Sequence, residues 1–240
     1  MNRAAIEWAR DSVLAGNPDA LPPDTLTFLL RLYVAGDSLV RDHVEQGLTR
    51  GLALAGPASD PCSRMQWLRL LAEAAAVSDD DQLRPAVTRD LPEAVDALER
   101  HVRHSYEPGD GLLGLDAAAH LHTAAALLAA FDLSGRLPYA MLAEELCRHA
   151  MRRWMSPQSG LFNADFGANC VALRVICRLA ALHADPDYRA AAVLAPEAHD
   201  EDAARRLASV LQEHSGVHPD EAGRFGAALL DWFALTGVLH

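Results

Sequence analysis

The chain has 240 residues, half of them hydrophobic, and 33 acidic against 21 basic side chains give it a formal net charge of −12. A surface of this sign repels phosphate backbones and anionic lipids, so we expect neither nucleic acid nor a membrane as a partner. No uninterrupted apolar stretch reaches the length of a membrane span, and the charged N-terminus is unlike a signal peptide, so the sequence predicts a soluble cytoplasmic protein.

Alanine and leucine dominate the hydrophobic residues, and this composition favours helices over strands. After a first short helix, the run from Leu26 to Tyr33 has the spacing of one buried face, with Asp24 as its predicted N-terminal cap. A break at 36–38 precedes another predicted helix, and a further helix is predicted from Met65 to Val77. The first third of the chain is therefore expected to consist of helices separated by short breaks.

The rest of the chain continues this alternation of helices and breaks. Pro92 is predicted to lie in the first turn of a helix, where its missing N–H group does no harm. Asp116 and Pro138 are predicted to begin helices that end near Phe131 and Trp154. Later helices are predicted at 168–184, directly after Asp187, at 200–214 and at 221–238. No glycine-rich linker divides the chain, so residues 1–240 are predicted to form a single all-α domain of antiparallel helical hairpins.

One short phrase occurs twice in the sequence. Tyr-Glu-Pro-Gly-Asp-Gly-Leu-Leu at 106–113 returns as Trp-Met-Ser-Pro-Gln-Ser-Gly-Leu-Phe at 154–162, and Pro108 and Pro157 lie 49 positions apart. Each copy ends a helix-like run with an aromatic residue, turns on proline and glycine, and continues with apolar residues. A turn that recurs at this period is typical of stacked helical hairpins, in which one unit cannot bury its apolar face alone.

These two phrases, with Asp185-Pro186-Asp187-Tyr188, resemble the turns between hairpins in the α/α-toroid enzymes. The chain is similar to the six-hairpin group that includes the N-acylglucosamine 2-epimerases, and to the toroidal part of thioredoxin-domain proteins. The resemblance implies an α/α toroid or partial toroid with a pocket at one end of its barrel. The chain is shorter than those enzymes, and the catalytic histidines of the epimerases cannot be placed on positions in this sequence.

Polar residues at the second copy of the phrase are the candidates for a site. Two amides and a carboxylate lie there beside aromatic residues, a combination that can hold the hydroxyl groups of a sugar-like ligand. The alternative is that Asp165 or Asn163 caps the following helix. On the ligand interpretation, the residues expected to bind are Trp154, Asn163, Asn169 and Tyr106, and those expected to transfer protons are Asp165 and Asp110.

No cofactor and no metal is predicted, because the sequence has no glycine-rich phosphate loop, nucleophile turn or metal-ligand spacing. His120 and His122 are two positions apart in a helical run, so they point to different faces and cannot share one metal ion without distortion. The cysteines are predicted to be buried free thiols, and they are Cys62, Cys147, Cys170 and Cys177.

Two functions remain open at this stage. One is binding, or acid–base chemistry, on a small polar and sugar-like molecule in a pocket near the 154–170 turn. The other is a non-catalytic helical scaffold whose surface binds a protein partner. The basic side chains are arginines, a bias attributed to base composition, and no role is assigned to them.

Overall fold

The structure, a computed structural model, describes residues 3–17, 21–56, 60–78, 80–192 and 200–237. These residues are predominantly helical, which confirms the predicted all-α class. In chain order, the α-helices of the described ranges are α1 Arg3–Leu14, α2 Pro23–Val34, α3 Arg41–Leu54, α4 Pro61–Val77, α5 Leu83–Ser105, α6 Ala117–Ser134, α7 Leu137–Trp154, α8 Phe166–His183, α9 Pro186–Ala191, α10 Asp200–His214 and α11 Ala222–Thr236. The other regular elements of the described residues are three 3-10 turns and a small antiparallel pair, β1 Tyr106–Glu107 and β2 Gly111–Leu112.

Five helices contact one another in a closed cycle. α2 packs against α4, α4 against α6, α6 against α8, α8 against α11, and α11 returns to α2. The first and last of these helices approach closely because Gly223 of α11 faces the buried Thr25 of α2, and a Cβ atom at Gly223 would lie 2.3 Å from that side chain. We call these five the inner helices.

A second set of helices covers the inner ones from outside. α1 packs on α11, α3 on α2 and α4, α5 on α4, α7 on α6, and α10 on α8. The apolar residues of these outer helices lie on one face, as expected for elements that bury a single stripe. The inner helix α6, in contrast, is apolar on nearly all sides and buries more than half of its residues.

α8 is the most deeply enclosed of the inner helices. Within the described residues, Phe166–His183 is the one helix whose length of 18 residues and mean hydropathy of 1.3 match those of a membrane span. However, 78 % of that helix is buried inside the protein, against α6, α10 and α11. Its apolar composition is therefore that of a central core helix.

The predicted helix boundaries near Asp24 and Pro92 were wrong. Asp24 does not cap α2, which is preceded by Pro22 and begins at Pro23, because its carboxylate is instead engaged by Arg174. Pro92 lies inside the continuous helix α5 rather than in a first turn. An interior proline costs an isolated helix about 3 kcal/mol. The packing of α5 along α4, which buries Leu98 among other side chains, holds the helix together across this position.

The repeated phrase forms a similar turn in both copies, longer by one residue in the second. Tyr106 pairs with Leu112 and Met155 pairs with Phe162, so each turn is a short antiparallel hairpin between two helices. Gly111 has φ of +70° and Gly160 has φ of +72°, a left-handed conformation that glycine adopts without strain. The sequence repeat is thus a structural repeat that connects α5 to α6 and α7 to α8.

Candidate functional site

A cavity of about 380 Å³ lies between the five inner helices, and each of them contributes to its lining. This volume is within the range of small-molecule sites. Its apolar lining comes from residues such as Ala125, Leu128 and Val175. Its polar lining consists of nine side chains, namely Asp24, Arg31, Gln66, Arg69, His122, Asp132, Arg174, Arg178 and Asp231.

Helical spacing explains why these side chains converge. Arg174 and Arg178 are four residues apart on α8, and Gln66 and Arg69 are three apart on α4, so each pair lies on one face of its helix. The faces point inward because the inner helices surround the cavity and the outer helices cover their other sides.

The most enclosed charges of the cavity contact one another across three inner helices. Arg174 is only 9 % exposed, and its guanidinium contacts Asp24 of α2 and Asp231 of α11, the latter at 2.9 Å between Nε and Oδ2. Arg31 of α2 contacts the other oxygen of Asp231. Burial on its own raises the pKa of Asp231, but the charges of Arg174 and Arg31 outweigh that effect and lower the pKa to about 2. Asp231 is therefore ionised at neutral pH.

A second group of charges surrounds Asp132 of α6. Its Oδ1 accepts a hydrogen bond of 2.6 Å from Nη2 of Arg178, and its Oδ2 lies 3.8 Å from Nε of Arg69. The Nε group of Arg69 also donates to Glu73, at 2.9 Å. Guanidinium groups from α4 and α8 thus lie on either side of the Asp132 carboxylate at the cavity wall, with Arg178 bonded to Asp132 and Arg69 to Glu73.

Two further polar side chains of the cavity lack partners. The Nε2 group of Gln66 is buried, and it donates no hydrogen bond within the part of the chain that the structure describes. His122 is exposed, and the described residues supply neither a hydrogen bond nor an ion pair to it. Both side chains can therefore accommodate a molecule in the cavity without first losing an internal contact.

Cys177 also lines the cavity, but its chemistry excludes it as a nucleophile at neutral pH. Burial and the charge of Asp231 raise the pKa of this thiol far above its ordinary value, and the thiolate is the reactive form. The four cysteines are free and buried, as the sequence predicts.

None of the residues predicted as a site from the sequence lines this cavity. Asp165 accepts a hydrogen bond of 2.7 Å from the backbone N–H of Ala168 and caps α8, which is the alternative that the sequence left open. Asn169 is buried and holds the turn, since its Oδ1 accepts from the N–H of Phe162 and its Nδ2 donates to three backbone carbonyls.

The other four predicted residues lie on or near the two repeated turns. Asp110 is exposed in the first turn, and Tyr106 is half-buried beside Glu145, with burial as the main cause of its raised pKa. The Trp154 ring packs against the imidazoles of His120 and His149. Asn163 and Trp154 border an open depression of about 410 Å³. A ligand role for these residues stays a prediction.

His120 is the counterpart of Asn169 in the first turn. Its Nδ1 lies 2.7 Å from the carbonyl oxygen of Asp116, and its Nε2 accepts a hydrogen bond of 2.8 Å from the N–H of Leu112. Burial lowers the pKa of this imidazole, so the ring stays neutral and holds the turn. His120 and His122 therefore point to different environments, as their spacing predicts.

A separate buried cluster of charges surrounds His183, the last residue of α8. His183 places Nδ1 2.7 Å from Asp200 of α10 and Nε2 3.0 Å from Glu144 of α7. Arg148 contacts Asp200 at 2.9 Å, and the hydroxyl of Tyr188 donates to Glu144 at 2.9 Å. These side chains face one another, so we interpret the cluster as a tie between helices.

Within the described ranges, no group of three or more His, Cys, Asp or Glu side chains is placed to hold a metal ion. Comparison of the chain with protein-family models, with curated proteins and with solved structures finds no match.

Proposed function

We propose that this protein binds a small polar, hydroxyl-bearing molecule in the cavity between its inner helices. The observation that supports the proposal is the convergence of seven charged side chains, four arginines and three aspartates, on one partly enclosed space. Arg174 is buried and most of the other six charges are partly buried, and cavities that gather such groups are typical of ligand sites.

The energetic cost of this arrangement favours binding over a purely structural role. Removing a charged group from water costs several kcal/mol, which an ion pair offsets only in part. Apolar side chains that filled the space between the inner helices would stabilise the fold at least as well as these ion pairs do. A scaffold that acted only through its outer surface would gain nothing from a charged interior, so the second hypothesis, a protein-interaction subunit, has weaker support.

We further propose that the cycle of inner helices, with its outer layer, is a toroid of five hairpins. The alternation of inner and outer helices along most of the chain and the return contact between α11 and α2 support this interpretation. A five-membered ring would account for a chain shorter than the six-hairpin enzymes that it resembles.

The chemistry of the cavity favours binding rather than proton transfer by its aspartates. The low pKa of Asp231 makes it a poor proton donor at neutral pH, and arginine contacts occupy both of its oxygens. If a proton is transferred here, the cavity group free to do so is His122. We propose a cytoplasmic location, which the free and unpaired state of Cys62, Cys147, Cys170 and Cys177 supports.

A thermal-shift screen against sugars, sugar phosphates, sugar acids and common metabolites tests this proposal. A bound ligand raises the melting temperature by mass action. The Ala125→Phe variant places a ring in the cavity and is expected to abolish the shift produced by every hit. Ala234→Phe, on a different inner helix, repeats the test should the first variant fold poorly.

Ala53→Phe is the matched control, because Ala53 is exposed on the outer helix α3. It should retain the shift of each hit. A hit that persists undiminished in both cavity variants would place binding elsewhere. If no compound of the panel raises the melting temperature, that result would count against the binding proposal and favour a scaffold.

A further inference from the structure

Hydrogen-bond donors and acceptors in the cavity do not balance. Both oxygens of Asp132 and of Asp231 have a guanidinium group within 4 Å, and so do both oxygens of Asp24. A guanidinium carries five N–H donors, so the four arginines of the lining have donors left over after these contacts. A ligand that fits this cavity must therefore be rich in acceptors.

The surplus is greatest at the pair of arginines around Asp132. Arg178 donates its hydrogen bond to this carboxylate from Nη2, and Arg69 donates its hydrogen bond from Nε to Glu73. The terminal nitrogens of Arg69, and Nε and Nη1 of Arg178, donate no hydrogen bond to any of the described residues. Both guanidinium groups lie against the carboxylate of Asp132, at 2.6 Å for Arg178 and 3.8 Å for Arg69, so they are neighbours before any ligand arrives.

A third donor reaches the same space from α4. The buried Nε2 group of Gln66 has no acceptor, and Gln66 lies one helical turn before Arg69. A buried amide without an acceptor costs about 1–3 kcal/mol, which an acceptor on a bound ligand would recover. The unpaired amide is an observation independent of the arginines, and it too requires a hydrogen-bond acceptor on the ligand.

We propose that Arg69, Arg178 and Gln66 form a subsite for an oxyanion, a phosphate or a carboxylate, carried by the ligand of the proposed function, on which this inference rests. Planar guanidinium groups bind both anions through paired N–H···O contacts, which are stronger than neutral hydrogen bonds. Asp132 orients Arg178 and Glu73 orients Arg69, each through a hydrogen bond, and the amide of Gln66 donates to a further oxygen. The remaining volume of the cavity takes the hydroxyl-bearing part.

Calorimetric titration with inorganic phosphate and, separately, with acetate tests the subsite at low ionic strength. At least one of the two anions should bind to the wild-type protein, and their relative affinities distinguish a phosphate from a carboxylate subsite. Arg178→Gln should weaken the binding at least tenfold. Arg178 is 42 % exposed, so we expect this variant to fold. Arg178→Lys should recover the binding only in part, because an ammonium keeps the charge but cannot form the paired hydrogen bonds of a planar guanidinium.

Arg205→Gln is the control, since Arg205 is an exposed surface arginine with two carboxylate partners. It should bind the anion like the wild type. Binding that is unchanged in Arg178→Gln, or binding of neither anion, would overturn the subsite. If neutral compounds still shift the melting temperature and Ala125→Phe abolishes that shift, the oxyanion inference alone has failed. If no compound binds in either experiment, the proposed function fails with it.

Discussion

Arg174 carries a charge into the middle of an apolar helix and joins residues that are far apart in the chain. Its partners Asp24 and Asp231 lie 150 and 57 positions away, and Arg31 joins Asp231 across 200 positions. Loss of Asp231 would leave Arg174 with Asp24 as its remaining carboxylate, and would leave Arg31 without a carboxylate partner among the described residues.

Asp231→Asn should therefore destabilise the protein by about 3 kcal/mol, since it leaves Arg174 and Arg31 facing a neutral amide. Urea unfolding at pH 7 measures the change. Asp202→Asn, in an exposed ion pair with Arg205, is the matched control and should cost less than about 1 kcal/mol. Equal effects of the two substitutions would show that the buried charges contribute no more than surface ones.

At the scale of single residues, the sequence identified local roles better than distant ones. The hydrogen bond of Asp165 to Ala168 was one of two predicted alternatives, because a cap depends only on the next three residues. The contacts of Arg174 depend on the fold, and no local spacing indicates them. The signal that could have located the cavity was a pair of arginines, Arg174 and Arg178, four residues apart in an otherwise apolar helix.

Helix boundaries were predicted well where a cap, a proline or a glycine marks the end. The helix predicted to begin at Asp116 begins at Ala117, with Asp116 as its N-terminal cap, and α10 spans the predicted 200–214. The prediction failed at Pro92, because tertiary packing against α4 maintains a helix that local preference would interrupt. The pairing of β1 with β2 was not predicted, since two residues are too few for a strand pattern.

The cluster around His183 connects α8 to α7, α9 and α10, and its charge depends on pH. Burial lowers the pKa of His183, but Asp200 and Glu144 outweigh this and raise it to about 9, above the ordinary value of about 6.5. The imidazolium faces these two carboxylates together with Arg148 of α7 and Tyr188 of α9. At neutral pH the cluster therefore has balanced charge.

Because the folded pKa lies above the unfolded one, the stabilisation from His183 is fully present below about pH 6.5 and is lost as the pH rises through about 9. We expect the free energy of unfolding, measured in urea across this interval, to fall with pH. His183→Gln should be less stable at pH 6 and should show a flatter profile. His214→Gln, at the exposed end of α10, should retain the wild-type slope. A wild-type slope in His183→Gln would contradict this interpretation.

For the molecule as a whole, the all-α class followed from composition and periodicity, but the position of the cavity did not. The cavity is lined by α2, α4, α6, α8 and α11, so it exists only once the last inner helix packs against the first. Each of these helices contributes one or two of the nine polar residues. In the sequence of a single helix, such residues cannot be distinguished from ordinary surface charges. The sequence drew attention to the repeated turn instead, because a repeat is visible without the fold.

We propose that ligands bind between the inner helices and not at the second repeated turn. Anomalous diffraction from crystals soaked in selenate, an oxyanion of phosphate size, tests this claim most directly. We predict an anomalous peak inside the cavity, within hydrogen-bond distance of Arg69 and Arg178. Peaks confined to the depression beside Arg153 and Trp154, or to other surface arginines, would contradict the account.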